Sequence, residues 1–322
     1  MIDKTFDFIG SEGSVTETGC RRTGNNCAND QDWIEKTCDS SKTPVSVTYD
    51  KVGTSGMPVG SNKSIVGVGN KGVLKGKGLI LKSGSKNVII QNIHMTELNP
   101  KYVWGGDAIG LEGNDGVWID HCKISRVGRQ MIVTHYDACR VTISNTEFDG
   151  RTDWSSGCNK KHYWTAMIYG DDVKLTLDRN WFHDLSGRAP KIGGSGSMTV
   201  QAVNNYFSSV GRHDFDIGTG ASVLIEGNRF ENVDTPITSD SASAGGATFN
   251  VPDTDSQSTS SSYLGRKCVT NALTNSGAWT SLKSTKPLQD LANNKDYLVN
   301  PLQIGYVKGE VTGNAGIGKI GN

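Results

Sequence analysis

The sequence predicts an all-β solenoid, a parallel β-helix with an N-terminal cap and a C-terminal loop region packed on the coil. Three observations predict it. Six related segments recur along the middle of the chain, asparagines recur in register within them, and glycine is abundant, with 40 in 322 residues. Such features are typical of a chain that makes several tight bends in every repeat.

The six segments share alternating apolar residues, then one or two polar residues, then an apolar anchor. They begin at Asn87, Gly116, Arg140, Val173, Met198 and Ser222, and their anchors are Met95, Ile124, Phe148, Phe182, Phe207 and Phe230. Successive anchors lie 29, 24, 34, 25 and 23 residues apart. Alternation predicts half-buried strands, which must stack on their neighbours to bury one face. The longest spacing predicts a loop that bulges from the coil and can carry function.

Asn180, Asn205 and Asn228 each lie two residues before an anchor. Asparagine tolerates the left-handed conformation needed at a sharp bend, and stacked amides can bond from one turn to the next. Asparagine is common in any turn, but three in register favour a ladder of stacked side chains.

The chain is expected to form a single domain, residues 1–322, in three parts. Residues 1–60 are expected to be an irregular cap with a short helix near residues 29–36, because terminal turns of a solenoid expose apolar surface. Residues 61–235 form the coil. Residues 236–322 begin with a Ser/Thr/Ala/Gly-rich run that predicts a long loop over residues 238–262. Apolar residues beyond this loop are expected to fold back on the coil: Trp279, Leu288, Leu291, Tyr297 and Leu298.

The charge balance is neutral, with 33 Lys and Arg against 33 Asp and Glu, and gives no reason to expect a nucleic-acid partner. No stretch reaches transmembrane length, and the polar segment after Met1 lacks the apolar core of a signal peptide. Seven cysteines without a recognisable zinc motif predict at least some disulfides. We therefore expect a secreted, extracellular protein whose leader has been removed.

Two familiar motifs are present in outline only. Residues 67–72 fit the dinucleotide-binding pattern GxGxxG, but another strand follows instead of the helix that binding needs. His121, Cys122, His135 and Cys139 match no common metal-site spacing, and adjacent residues on a strand point to opposite faces. Burial, or a disulfide between the two cysteines, explains them more simply.

One charged cluster is more informative. Arg188 and Lys191 lie in LSGRAPK just after a repeat anchor, Arg129 follows the second anchor, and Asp107 precedes the second repeat. Segments from successive turns of a β-helix can lie side by side. Charged patches are usually solvated surface, but the aromatic residues near this one suit an anionic or ester-bearing sugar chain. They are Trp104, Trp118, Tyr163, Trp164 and Trp181, of which Trp118 and Trp181 are alternatively core residues.

The sequence resembles the fungal pectin lyases of the pectate lyase superfamily (polysaccharide lyase family 1). The resemblance runs from Thr5 to Val233 and then fades. Its most specific strings are SNKSIVGVGNKGVLKGKGL, KNVIIQNI, NPKYVWGGDAI, WIDH, GRQ, CNKKHYW and LSGRAPK. It implies a right-handed parallel β-helix and β-elimination on methyl-esterified α-1,4-polygalacturonan, with 4,5-unsaturated ends.

The resemblance also assigns catalytic roles. Arg188 matches the arginine taken as the base for the C5 proton, although arginine is normally protonated. Crowding by Arg129 and Lys191 would favour its neutral form. Asp107 matches an acid retained across the superfamily and is expected to position the arginines.

Calcium, which the related pectate lyases hold with acidic residues, is not expected here. Arg129 matches an arginine at one of those ligand positions, so a fixed positive charge would replace the metal, and no cofactor is implied. Trp104, Tyr163 and Trp164 match aromatic cleft positions and are expected to bind methyl-esterified pectin. We expect a monomer.

The family pattern implies two disulfides and two departures. The disulfides are Cys20–Cys38 and Cys27–Cys158. Cys268 lacks its usual partner. Thr37 stands where a cleft tryptophan is expected, so Trp33 or Trp154 would have to complete the aromatic wall.

Other functions stay open beside a calcium-independent pectin lyase. A calcium-dependent pectate lyase would use the same coil. A glycoside hydrolase would need paired carboxylates, and no such pair stands out beside Asp107. A non-catalytic carbohydrate-binding β-helix would need none of these groups.

Overall fold

The structure, a computed structural model, describes residues 1–24 and 27–320. The strands are β1 (Thr5–Asp7), β2 (Ser14–Arg22), β3 (Asp32–Trp33), β4 (Lys42–Asp50), β5 (Met57–Pro58), β6 (Lys63–Val66), β7 (Val73–Lys75), β8 (Leu79–Leu81), β9 (Lys86–Gln91), β10 (His94–Thr96), β11 (Tyr102–Val103), β12 (Ile109–Leu111), β13 (Asp115–Asp120), β14 (Lys123–Ser125), β15 (Ile132–Thr134), β16 (Arg140–Ser144), β17 (Glu147–Asp149), β18 (Ala166–Asp178), β19 (Trp181–His183), β20 (Lys191–Val203), β21 (Tyr206–Ile217), β22 (Ala221–Glu226), β23 (Arg229–Ile237), β24 (Ala247–Phe249) and β25 (Ala272–Thr274). The α-helices are α1 (Thr254–Thr259), α2 (Ser261–Leu264), α3 (Lys286–Ala292) and α4 (Val307–Asn314), and short 3-10 helices lie at Lys51–Thr54, Ser239–Ala242 and Lys295–Tyr297. Within the described ranges, no helix has the length and apolar character needed to cross a bilayer.

Three parallel sheets wind into the coil. Along one turn the chain passes through sheet I, sheet II and sheet III, as in β12, β13 and β14, and each strand pairs with its equivalents in the turns before and after. Sheet I contains β5, β8, β12, β15, the first parts of β18 and β20, and the end of β21. Sheet II contains β6, β9, β13, β16, the later parts of β18 and β20, β22 and β24. Sheet III contains β1, β7, β10, β14, β17, β19, β21, β23 and β25. About eight turns form in this way, which confirms the predicted parallel β-helix.

The six predicted anchors form one buried column in sheet III. The column runs through Met95, Ile124, Phe148, Phe182, Phe207 and Phe230. Its four phenylalanine rings stack, with successive ring centres 4.5, 4.8 and 4.7 Å apart. These distances match the separation of neighbouring strands, so each turn adds one ring to a continuous core.

The predicted asparagine ladder is confirmed. The side-chain nitrogen of Asn180 donates to Oδ1 of Asn205 at 3.0 Å, and that of Asn205 donates to Asn228 at 2.9 Å. Asn271 adds a rung that the sequence analysis missed, because it accepts from Asn228 at 3.1 Å across a long insertion.

The left-handed backbone at these bends lies one residue before each asparagine, not at the asparagine as predicted. Arg179, Asn204 and Gly227 have φ of 54°, 59° and 61°. The ladder asparagine therefore supplies the side-chain bonds, while its predecessor turns the chain.

The N-terminal region is more regular than predicted. β2 and β4 form a long antiparallel pair, and β3 and β11 complete a separate four-stranded sheet. The helix predicted near residues 29–36 is wrong, because Asp32 and Trp33 pair as β3 with Tyr102 and Val103. The first strand of sheet III is β1, which pairs with β7. The hairpin of β2 and β4 contacts the segment between β10 and β12, where the backbone N–H groups of Thr48 and Asp50 donate to the side chains of Tyr102 and Asn99.

Both predicted disulfides, Cys20–Cys38 and Cys27–Cys158, are present. The second links residues 131 apart and ties the N-terminal sheet to the long loop between β17 and β18. Cys122, Cys139 and Cys268 are free and buried, so the disulfide considered between Cys122 and Cys139 is not formed. Burial raises the pKa of Cys122 and Cys268 to about 12, which keeps both thiols protonated.

The C-terminal residues fold back on the coil with one exception. Leu288 and Leu291 of α3 are buried, and α3 packs on β22 and β24. Trp279 packs on the last ring of the phenylalanine stack. Tyr297 is 88% exposed, contrary to prediction. Residues 238–262, predicted as a loop, also contain β24 and α1.

Candidate active site

The predicted site residues lie where the chain enters sheet I. Asp107, Arg129, Trp164 and Arg188 stand just before β12, β15, β18 and β20, respectively. The backbone N–H of Ala166, at the start of β18, donates to the carbonyl of Arg188 at 2.7 Å. Because the parallel strands stack in register, these entry points form a line along the coil axis over four successive turns.

Arg188 holds its guanidinium against two aromatic rings and a sulfur atom. Its Cζ lies 4.8 Å from the ring centre of Trp164 and 5.7 Å from that of Tyr163. Its Nη1 lies 3.9 Å from Sδ of Met167. In the part of the chain that the structure describes, no carboxylate forms an ion pair with it. The group is therefore available to an oxygen of a ligand.

Arg129 stacks on Trp104 and faces Asp107. Its Cζ lies 3.6 Å from the ring centre of Trp104, and its Nη1 lies 3.8 Å from Oδ2 of Asp107. Burial lowers the pKa of Arg129, Asp107 opposes that effect, and the charge of Arg188 adds to it. The guanidinium groups of Arg129 and Arg188 thus repel each other electrostatically, although the turn that contains the start of β18 lies between them.

Asp107 joins two neighbouring turns. Its Oδ1 accepts a hydrogen bond from the backbone N–H of Gln130 at 2.8 Å. Burial raises the pKa of Asp107, while the charge of Arg129 and the Gln130 N–H oppose the rise. The carboxyl group therefore contacts both the side chain of Arg129 and the backbone that follows it.

Lys191 is less free than the sequence suggested. Its Nζ lies 2.9 Å from the carboxylate of Asp216, which stands beside it in the next turn of sheet I. This ion pair offsets much of the positive charge, so Lys191 crowds Arg188 less than expected.

Tyr163 and Trp164 lie in the long loop between β17 and β18, where the longest repeat spacing predicted a bulge. Their rings meet edge to face at 5.0 Å. A Cβ atom at Gly187 would lie 2.6 Å from the Tyr163 ring. The glycine before Arg188 is therefore required by this close approach and not by a left-handed bend.

Comparison with known proteins places the chain in a family. The family described as Pectate lyase matches residues 33–320. The chain belongs to the pectate lyase family.

Two curated relatives of this pectate lyase family member carry pectin lyase names. "Probable pectin lyase F-1" of Aspergillus terreus is 50% identical over 328 residues, covering 99% of this chain and 84% of the relative. "Probable pectin lyase E" of Aspergillus fumigatus is 48% identical over 329 residues, covering 99% of this chain and 85% of the relative. These matches confirm the resemblance inferred from the motifs, but the expectation that it fades after Val233 is wrong, since the family match runs to residue 320.

Solved pectate lyases share the fold. A pectate lyase bound to a hexasaccharide has a TM-score of 0.56 and 18% identity, covering 83% of this chain and 70% of the other. A pectate lyase from Bacillus sp. N165 in complex with trigalacturonate has a TM-score of 0.54 and 20% identity, covering 82% of this chain and 77% of the other.

His162 is a site residue of this family member that the sequence analysis did not single out, although it lies in the CNKKHYW string. Its Nε2 donates to the carbonyl of Arg129 at 2.7 Å and lies 3.0 Å from that of Trp164. Burial lowers the pKa of His162 to about 4, so the ring is neutral near pH 7. The backbone N–H of Arg129 donates to Gly106 at 3.0 Å, so both backbone polar groups of Arg129 are held.

The turn after Arg188 contains buried polar groups without hydrogen-bond partners. These groups, among the described residues, include Nε2 of His213 and both carboxyl oxygens of Asp214. Burial raises the pKa of Asp214 far above its ordinary value and lowers the pKa of His213. Burial thus favours the uncharged form of both groups, which lie in the turn after Arg188. No sequence pattern pointed to them.

The other predicted aromatic residues lie on different parts of the coil. Trp118 lies on sheet II, 41% exposed, and Trp181 packs on Tyr206 in sheet III, so neither belongs to this line. Trp33 meets Trp164 edge to face at 5.7 Å and extends the aromatic cluster behind it. Trp154 instead has the ammonium of Lys101 5.0 Å from its ring.

Asp107 belongs to no group of three or more metal-ligating side chains in the described residues. Calcium prefers six to eight oxygen ligands, whereas Asp107 stands beside a guanidinium group. The one group of three metal-ligating side chains in the described ranges is Glu147, Asp149 and His183 on sheet III. There the ammonium of Lys123 lies 2.7 Å from Glu147 and 3.1 Å from Asp149, and the guanidinium of Arg151 lies 2.6 Å from Asp149, so each carboxylate already has a cationic partner.

Proposed function

We propose that this protein is a pectin lyase that cleaves methyl-esterified α-1,4-polygalacturonan by β-elimination. The observation that carries the proposal is the guanidinium of Arg188, which lies against Tyr163, Trp164 and Met167 without an acidic partner in the described residues. The identity to named pectin lyases over nearly the whole chain supports the same conclusion.

The reaction separates charge at one sugar ring. A base takes the proton from C5, the released electron pair forms the C4–C5 double bond, and the C4–O bond breaks. The departing oxygen takes up a proton, and a 4,5-unsaturated end remains. Negative charge develops on the C6 carbonyl oxygen as the proton leaves, so fixed cationic donors at that oxygen lower the barrier.

In the proposal, each charged residue of the site has its own role in this reaction. Arg188, reacting as the neutral guanidine, takes the C5 proton, and Arg129 supplies positive charge to the C6 oxygens. Asp107 positions Arg129 through its ion pair and holds the adjoining turn through the Gln130 N–H. Lys191, paired with Asp216, adds a weaker positive field.

The proposed independence from calcium follows from the side chains around Asp107. A single carboxylate beside Arg129 is a poor calcium site, and an esterified substrate has no carboxylate at C6 for a metal to bridge. The guanidinium of Arg129 therefore supplies the charge that calcium supplies in the pectate lyase branch. No cofactor enters the proposal.

The aromatic residues are assigned to substrate binding. Trp104 is 43% exposed, and Tyr163 and Trp164 are partly exposed on the same line. Sugar C–H faces pack on such rings, and methyl esters add apolar surface. The proposal also includes a secreted monomer, and two disulfides support an oxidising compartment.

The proposal is tested by ultraviolet absorbance of the conjugated double bond, measured on highly esterified pectin and on demethylated polygalacturonate. We expect absorbance to rise on esterified pectin with a chelator present. Activity only on the demethylated chain with calcium would indicate a pectate lyase. Reducing ends without absorbance would indicate a hydrolase, and binding without cleavage would indicate a non-catalytic protein.

Arg188→Ala should abolish turnover and retain the fold and most substrate affinity. Arg179→Ala is the matched control, since Arg179 also has a positive φ, 54° against 49°, but lies at a bend outside sheet I, paired with Asp178. Near-normal rates in Arg188→Ala would remove Arg188 from the mechanism.

A further inference from the structure

Three loops that carry site residues meet at one buried side chain of the N-terminal sheet. Gln31, 1% exposed, stands just before β3 and outside the coil. Its Nε2 donates to the carbonyls of Pro100 and Gly128, each at 2.9 Å. Its Oε1 accepts from the indole Nε1 of Trp164 at 3.0 Å and from the hydroxyl of Ser156 at 2.7 Å.

Three of the four partners of Gln31 lead directly to the site. Gly128 precedes Arg129, Pro100 belongs to the loop that carries Trp104, and Trp164 lies against Arg188. These loops come from different turns of the coil. The backbone hydrogen bonds between stacked strands do not by themselves determine how the side chains of the loops are oriented.

We propose that Gln31 is a positioning residue for the lyase reaction. By binding all three loops at once, it fixes the distance between the Arg129 segment and the Trp164 ring that supports Arg188. The inference deepens the proposed function and rests on it for its kinetic consequences, but the placement of the loops can be tested separately.

The amide group suits this task because it uses its full hydrogen-bonding capacity. A primary amide offers two N–H donors and an oxygen with two lone pairs, and Gln31 pairs all four. A carboxylate at this position would face two carbonyl oxygens without a donor, and an apolar side chain would leave buried polar groups unpaired. Either change costs free energy and releases at least two of the loops.

The segment around Gln31 is itself held firmly. Its backbone N–H donates to Oδ1 of Asp30 at 2.8 Å, and Asp30 forms an ion pair with Arg22 at 2.8 Å. The nearby Cys27–Cys158 disulfide joins this segment to the loop that contains Ser156. The N-terminal sheet thus acts as a support for the site from outside the coil.

The test compares Gln31→Met with Gln201→Met in the full chain. Gln201 is an equally buried glutamine, 1% exposed, that bonds Glu226 and both backbone groups of Val299 on the C-terminal side of the coil. We expect both variants to lower Tm. Only Gln31→Met should lower kcat, on the order of ten- to 100-fold, because small misplacements of reacting groups reduce rates to that extent.

Two nuclear magnetic resonance signals report placement without activity: the indole N–H of Trp164, assigned with Trp164→Phe, and the guanidinium Nε–H of Arg129, assigned with Arg129→Lys. We expect both to shift in Gln31→Met and neither in Gln201→Met. If the wild-type protein has no lyase activity, the proposed function fails, and the two signals still decide whether Gln31 positions the loops. The Trp164 indole bonds Gln31 directly, so the Arg129 signal is the deciding one. An unshifted Arg129 signal, or an unchanged kcat with both signals shifted, would overturn the inference.

Gln31→Glu gives a second readout if the methionine variant does not fold. Ionised, the new side chain lacks a donor toward Pro100 and Gly128, and protonation restores one. We therefore expect kcat relative to wild type to recover as pH falls. A ratio independent of pH, with both signals unshifted, would also overturn the inference.

Discussion

The guanidinium of Arg129 lies 3.6 Å from the ring centre of Trp104, while its Nη1 lies 3.8 Å from Asp107. One positive charge is thus held between an aromatic face and a carboxylate. Burial and the nearby charge of Arg188 both lower the pKa of Arg129, and the charge of Asp107 opposes them. The aromatic face of Trp104 also stabilises the cation that lies over it. Removing either support should therefore weaken the proposed transition-state stabilisation.

Trp104→Ala should lower kcat/KM about ten-fold, since a partly desolvated cation–π contact contributes roughly 1–2 kcal/mol. Trp104→Phe, which keeps an aromatic face, should lose less. Trp118→Ala is the matched control because Trp118 is similarly exposed, 41% against 43%, but lies on sheet II. Elimination rates on esterified pectin measure the effect, and equal losses in the two alanine variants would contradict it.

Arg129→Asp should lower elimination on esterified pectin by on the order of 100-fold, because a donor aimed at the developing charge is replaced by a like charge. It would also place a second carboxylate beside Asp107. We expect calcium to restore part of the activity toward demethylated polygalacturonate. Arg129→Lys keeps the charge and should show no calcium dependence. Unchanged turnover in Arg129→Asp, with no effect of calcium, would refute the replacement of metal by arginine.

Asn205→Ala should reduce the free energy of unfolding by about 2–4 kcal/mol, because it leaves several buried groups unpaired. Asn205 bonds Asn228 and the carbonyls of Leu177 and Val203, and it accepts from Asn180. Asn314→Ala, which removes a single exposed bond to a helix carbonyl, should have little effect. Thermal denaturation would measure both, and equal Tm values would argue against a stabilising ladder.

The stability of the protein should fall as pH decreases from about 6.5 toward about 4, partly through His162. The folded protein keeps this imidazole neutral, since burial lowers the pKa of His162 to about 4, whereas the unfolded chain binds a proton near the ordinary value of 6.5. The contribution of His162 to stability is therefore complete above pH 6.5 and is lost progressively as the pH falls toward about 4. His162→Gln removes the titration, so its Tm deficit should shrink on acidification, and a constant deficit would contradict this assignment.

Much of the coil could be predicted because its signals repeat. The anchor column and the ladder follow from residues that recur about once per turn, and each turn must bury the same face against its neighbours. Asn271 escaped prediction because a long insertion interrupts the repeat before it. The helix expected near residues 29–36 was wrong because pairing of β3 with β11, a contact with a distant loop, overrode the local pattern.

The charged and aromatic residues of the site were identifiable from motifs, but their supports were not. His162 binds the carbonyl of Arg129, and Gln31 binds the indole of Trp164. Backbone carbonyls carry no sequence signature, and these partners lie 33 and 133 residues apart. Likewise, the sequence analysis treated Lys191 as a full positive charge beside Arg188, but its ion pair with Asp216 offsets much of that charge.

The sequence by itself determined the parallel coil, because its local periodicity repeats once per turn. The two disulfide pairings and the residues assigned to the site followed from the motifs by which the sequence resembles the fungal pectin lyases. The tertiary structure alone decided which groups touch. It placed Arg129 on Trp104, left Arg188 without an acid among the described residues, and brought the N-terminal sheet against the site loops. Such contacts depend on how loops of unequal length close over a rigid coil, which no repeat spacing encodes.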